Sequence, residues 1–173
     1  MERIIKLADN VTLYEKKDDV FVPYEGIVEK IGLRGKFHML INRENGDVEE
    51  REHENLIVDA GFDLICDTLG TNTQPSDLTH MAVGSNNTSP NASDTALNTI
   101  LDVRRIAAYA HTPGTKVFTM ITTFAAGEST GAWVEAGLFN AVTTGEMLNR
   151  VIFSVVNKAS GDSITATFTI TLS

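Results

Sequence analysis

The last eleven residues read SITATFTITLS. Ile164, Ala166, Phe168, Ile170 and Leu172 alternate with Ser163, Thr165, Thr167, Thr169 and Thr171 without a break. Strict period two over this length specifies a β-strand with one apolar face and one hydroxylated face. A single-residue slip would expose the whole apolar set, so the register is strongly fixed. Such a strand needs partners beside it and a second layer beneath it.

The preceding stretch supplies candidates. KVFTMITTF, AWVEAGLF and MLNRVIFSVV each read as strands, separated by Gly127 to Gly131, Thr144-Gly145 and Ser160-Gly161-Asp162. Short connections predict an antiparallel meander of four strands from Lys116 to Ser173. Further upstream, Phe37, Met39 and Ile41 share one strand face, and Asn45-Gly46 predicts a hairpin turn through positive φ, leading to a more polar second strand. Between these regions the period changes. Val58, Phe62, Ile65 and Leu69 are spaced as one stripe of a helix over about 60–69, with Asp59 as its N-cap and Gly70 at its end. Asp94 is placed to cap a second short helical turn in which Leu97, Ile100 and Leu101 share a face, after a surface loop of small polar residues. Residues 1–30 have irregular periodicity, and Pro23 confines any strand there to an edge. The expected fold is mainly β: an antiparallel, jelly-roll-like β-sandwich over 31–173, with one or two short helices and an extended N-terminal arm over 1–30.

Composition narrows the function classes. A chain of 173 residues fits one domain, or one domain with an arm. Its lone cysteine, Cys66, excludes an internal disulfide framework. The net charge of -9 argues against a nucleic-acid partner, which requires a basic face. The start lacks the apolar stretch of a signal peptide, and no window approaches a membrane span, so folding in a cytoplasm and no membrane partner are expected. Charge is uneven: 22 of the first 58 residues are charged against 15 of the remaining 115. A long, weakly charged, Thr-rich part suits either strand surfaces or burial between subunits.

Motifs for chemistry are sparse. GESTG at Gly127–Gly131 matches the G-x-S-x-G nucleophile pattern, but the pattern demands a following helix and a strand follows here. Its glycines read as hairpin punctuation. His38, His53, His80 and His111 show no metal-ligand spacing, and His53 reads as part of a solvated strand face. No phosphate-binding glycine loop is present. The glycosylation patterns at Asn10, Asn86, Asn87 and Asn91 carry no weight without secretion. No cofactor, metal or small-molecule ligand is expected. The one conspicuous charge is Glu135, set in the apolar strand WVEAGLF, where Trp133, Glu135, Gly137 and Phe139 share one face. Burying a carboxylate requires a partner. The next strand carries Arg150, across a connection running from Asn140 to Met147, so a structural Glu135–Arg150 pair is expected in preference to a catalytic acid.

Five segments in order, LRGKFHMLINRENGDV, ENLIVDAGFDLI, HMAVGSNNTSPNASDTALN, WVEAGLFN and NRVIFSVVNKASGDSITATFTITL, resemble structural proteins of tailed bacteriophages. The resemblance covers about residues 31–173. Asn55, Leu56, Ile57 and Gly61 match that family's helix start, Asp94, Thr95 and Leu97 its loop exit, and Glu135, Gly137, Leu138 and Phe139 its strand. None of these is a known catalytic position in the family. The resemblance implies a non-enzymatic virion protein, a tail-fibre, baseplate or connector component located in the virion after assembly in the host cytoplasm. Its partners would be copies of itself, as a trimer or hexamer, and other virion proteins. A capsid decoration protein is the nearest alternative. A carbohydrate-binding module is a more distant one, needing exposed aromatic platforms in a chain with a single Trp, Trp133. A hydrolase using Ser129 is the third.

Overall fold

The computed structural model describes residues 14–17, 20–23, 32–70 and 75–173. The chain divides into two compact units, Met1–Ile31 and Gly32–Ser173. In the first, β1 (Tyr14–Lys17) pairs antiparallel with β2 (Val20–Pro23). The rest of the expected arm, Asn10 included, lies outside the described residues.

The second unit is mainly β and antiparallel, as its alternating segments require. It comprises β3 (Leu33–Asn42), β4 (Val48–Ile57), α1 (Asp59–Gly70), β5 (His80–Gly84), β6 (Arg105–Ile106), β7 (Ala108–His111), β8 (Val117–Phe124), β9 (Gly131–Phe139), β10 (Met147–Lys158) and β11 (Ser163–Leu172). The sheet order is β6-β5-β9-β10-β4-β3-β11-β8-β7. β4 joins β10 through only two residue pairs, Asn149–Ile57 and Arg150–Leu56. The sheet therefore folds into two leaves at β4. Its far ends return towards each other, because β6 and β7 are separated by Ala107 alone and sit at opposite ends of the order. Ala107 is buried at this crossing, its amide donating to the Thr79 carbonyl at 2.8 Å.

The apolar faces of both leaves meet in one core. Phe37, Met39, Ile41, Met120, Phe124, Ile164, Ala166, Phe168 and Ile170 come from one leaf, and Met81, Val83, Trp133, Ala136, Leu138, Val151 and Val156 from the other. The alternation of β11 fixes its register against both neighbours, β3 and β8. Phe168 lies opposite Phe37 and Met120, and its ring sits 4.6 Å from that of Phe37.

The expected meander is only partly formed. β9 and β10 pair as a hairpin, but β11 lies between β3 and β8. The connections before β9 and after β10 cross from one leaf to the other instead of turning within a leaf. Short turns allow neighbouring strands to pair without obliging them to. Here the two crossings meet, with the Gly127 amide donating to the Ser160 carbonyl at 2.7 Å.

Five local expectations change. In the β3–β4 hairpin Gly46 alone takes positive φ, whereas Asn45 accepts the Asp47 amide through its side chain. In α1 the carbonyl of Val58 accepts the amides of Gly61 and Phe62, which makes Val58 the N-cap and Asp59 the first helical residue. The helix rests on β10 at Gly61, where a Cβ would strike the Leu148 carbonyl, and Leu64 on the same helix is buried. Of the predicted stripe, Val58 is buried and Ile65 half-buried, but Phe62 is 44% and Leu69 83% exposed. The Asp94 segment forms turns and a bridge between Gly84 and Ile100, not a helical turn. Leu97 and Ile100 pack in one cluster and Leu101 in the other. His53 is not on a solvated face: it stacks on Phe153 at 5.5 Å, and burial lowers its pKa.

A buried charge node beneath a polar loop

β9 and β10 place Glu135 and Arg150 on the face of their leaf that turns away from the main core. Glu135 lies opposite Ile152 and Arg150 opposite Gly137, so the two side chains meet diagonally. A register shift between Met147 and Asn149 brings Arg150 into this position. Both side chains are fully buried. The Arg150 Nε and Nη2 donate to one Glu135 oxygen, Oε2, at 3.0 and 2.8 Å. Beyond Glu135 the alternation breaks at a second register shift, between Ile152 and Val156. Trp133 thus enters the main core instead of sharing the Glu135 face, and its Nε1 donates to the Ser129 carbonyl at 2.6 Å.

The pair has further members. Arg150 Nη1 donates to Asp94 Oδ2 at 2.8 Å, and Nη2 donates to the Thr88 carbonyl at 3.1 Å. Glu135 accepts backbone amides from Thr99 at 3.0 Å and from Asn86 and Asn98 at 3.4 Å. All of these partners lie on the single segment between β5 and β6. That segment is rich in Asn, Ser and Thr and turns on its own side chains. Asn86 accepts the Thr88 amide, and Asn91 accepts that of Ser93. The node therefore straps a long polar loop onto the sheet. Burial works to raise the pKa of Asp94, but the Asn91 amide and Arg150 outweigh it and hold the carboxyl below its ordinary value. Burial likewise opposes the charge of Arg150, while Asp94 and Glu135 raise its pKa on balance.

Under the strap lies a second apolar cluster of Val58, Ala82, Leu97, Phe139 and Met147. Close approach is paid for by missing side chains. A Cβ at Gly84 would meet the Thr99 carbonyl and the Glu135 carboxylate, and one at Gly137 would meet the Asn149 carbonyl. Arg104 lies over the Phe139 ring at 3.6 Å and donates to the carbonyls of Ala141 and Thr144.

Most positions singled out in the sequence gather here. Asp94 is in the node, Leu97 and Phe139 are in the cluster beneath it, and Gly137 faces Arg150 across the hairpin. Gly61 seats the helix beside them on Leu148, and Leu138 points into the main core. Asn55 is apart: its side chain occupies the space left by Gly35, opposite it on β3, and its amide has no hydrogen-bond partner.

A second node escaped the sequence reading. Asp162, almost fully buried, accepts Arg43 Nη1 at 2.8 Å and the amides of Glu44 and Ala159 at 3.1 and 2.9 Å. Arg43 also pairs with Glu49 at 2.9 Å. Buried Lys158 donates to the carbonyls of Ala125 and Asp162 at 2.9 and 2.7 Å. Three connections, 43–47, 125–130 and 159–162, are tied together. The Arg43 side chain, with the Ala159 and Glu44 amides, takes the Asp162 pKa from 3.8 to about 2. Burial lowers that of Lys158.

Ser129 sits in the turn between two strands, at φ 45°, with a buried Oγ that has no hydrogen-bond partner. The strand–turn–helix setting of a nucleophile elbow is absent there. Among the described residues no group of three or more His, Cys, Asp or Glu is placed to hold a metal. No known protein family, curated protein or solved structure matches this chain.

Proposed function

We propose that the chain is a non-enzymatic structural protein of a tailed-bacteriophage virion, a tail-fibre, baseplate or connector component that works through contacts with its own copies and with other virion proteins. The observation that carries this reading is where the residues of the resemblance lie. Gly61, Asp94, Leu97, Gly137 and Phe139 come from three separate segments and converge on one strapped loop and the helix beside it. The two glycines let backbone approach closely, Asp94 pairs with Arg150, and Leu97 and Phe139 pack beneath the loop, a combination that suits a scaffold presenting a rigid surface. The charged groups of this assembly are committed to one another and to backbone groups, an arrangement that stabilises structure more readily than it turns over a substrate. The single Trp is fully buried and offers no platform to a sugar ring.

Light scattering on the purified protein tests the assembly. A trimer or hexamer of the 18.8 kDa chain is expected, whereas a monomer across the micromolar range contradicts it. Peptides of the chain in gradient-purified tailed particles test the location. Their absence from such particles removes the virion reading.

A further inference from the structure

The helix α1 carries an apolar stripe that lies exposed among the described residues. Phe62, Cys66 and Leu69 follow the i, i+4, i+7 spacing and all three are exposed. Gly61, on the other side, makes the contact with Leu148 of the sheet, and Leu64 is buried. Beside the stripe lie Asp59 and Asp63, one turn apart and also exposed. The last turn holds no basic residue, so the negative end of the helix dipole adds to the same field.

We propose that this face docks a segment of a different protein, one that presents Lys or Arg beside apolar anchors. The inference rests on the reading above and names the chemistry of one non-self partner. Charge decides the occupant. Packing the same helix of a second copy against it would bring two pairs of aspartates together, a like-charge juxtaposition that disfavours self-association here. The first 31 residues of the chain are no better suited, with 7 acidic against 5 basic residues. A basic, amphipathic segment satisfies both features at once: its apolar side chains cover Phe62 and Leu69 while its cations lie along the aspartates. The order of the stripe predicts that Leu69, the most exposed, is the main anchor.

Cys66 supplies the test, because its exposed thiol lies within the stripe. Two synthetic helical peptides with identical Leu anchors are compared, one flanked by Lys and one by Glu. The readout is the rate of Cys66 alkylation by iodoacetamide in the full chain. The Lys peptide is expected to slow alkylation saturably, by about tenfold at low salt, and less as salt rises. The Glu peptide is expected to give no protection. Leu69→Ser and, independently, Asp63→Lys should each weaken protection several-fold, while both variants keep the wild-type melting temperature. No protection by the Lys peptide, or equal protection by both, overturns the proposal. So does dissociation of the chain's own oligomer on Leu69→Ser, which would give the stripe to a second copy. Protection of a chain that scatters as a monomer supports the docking face and contradicts self-assembly; an oligomer with no protection does the reverse.

Discussion

The two charge nodes use the same chemistry in different solvent. In the first, the Glu135 and Arg150 side chains are both 0% exposed and Asp94 is 22% exposed. In the second, Asp162 is 6% exposed, but Arg43 and Glu49 open to 20% and 39%. Each ties segments far apart in sequence. The buried node spans a sheet face and holds a loop that is otherwise anchored near its end, by the Gly84–Ile100 bridge and the packing of Leu97, Ile100 and Leu101, and by the bond from the Asp59 amide to the Ala92 carbonyl. The rim node joins connections that the strand ladders already bring close. Removing one partner from a fully buried pair strands an uncompensated charge, whereas at the rim water takes over much of the lost interaction. Burial, more than bond count, should set what each node contributes.

Arg150→Met breaks this comparison most severely. It leaves two carboxylates under the strap and should cost about 3–5 kcal/mol of unfolding free energy, read by chemical denaturation. Exchanging Glu135 for Met as well should recover only part, because the amides of Asn86, Asn98 and Thr99 then lose their acceptor. Gly84→Ala attacks the same node without altering a charge. Its Cβ would press on the Glu135 carboxylate and the Thr99 carbonyl, for a loss of about 1–3 kcal/mol by the same measurement.

At the rim, Asp162→Asn should lower the melting temperature by less than either change. It should also flatten the acid limb of stability. The folded pKa of Asp162 is depressed to about 2 from an ordinary 3.8. Its contribution is therefore complete above 3.8 and fades as pH falls through about 2, a window that melting curves in acid resolve. The exposed Lys36–Glu52 pair, at 2.7 Å on the outer face of β3 and β4, should be the smallest effect. Lys36→Ala is expected to leave the melting temperature unchanged, since solvent screens such pairs.

The same contrast explains what was legible in advance. Glu135 stood out because a carboxylate within an apolar strand needs a partner, and Arg150 was the cation within reach on the following strand. Asp94 was singled out as a cap. Its bond to Arg150 spans 56 residues, and no local pattern signals such a distance. Arg43 and Asp162 lie in turns, where charged residues are ordinary, so their pairing left no trace in the sequence. The alternation of β11 read correctly because burial on one face enforces it, and the pairing order did not, because β8 to β9 and β10 to β11 change leaves at Gly127 and Ser160. The helix was legible in extent but not in facing. Gly61, a residue without a side chain, chose the contact that the larger Phe62 and Leu69 were expected to make.

The central claim is that buried charge straps the loop between β5 and β6 to the sheet. Native-state hydrogen exchange in wild type and Glu135→Gln measures this at the atoms concerned. The amides of Asn98 and Thr99 should be protected in the wild type and lose protection in the variant, while those of β3 and β11 keep theirs. Free exchange of the loop amides in the wild type, or equal protection in both proteins, would contradict the strap.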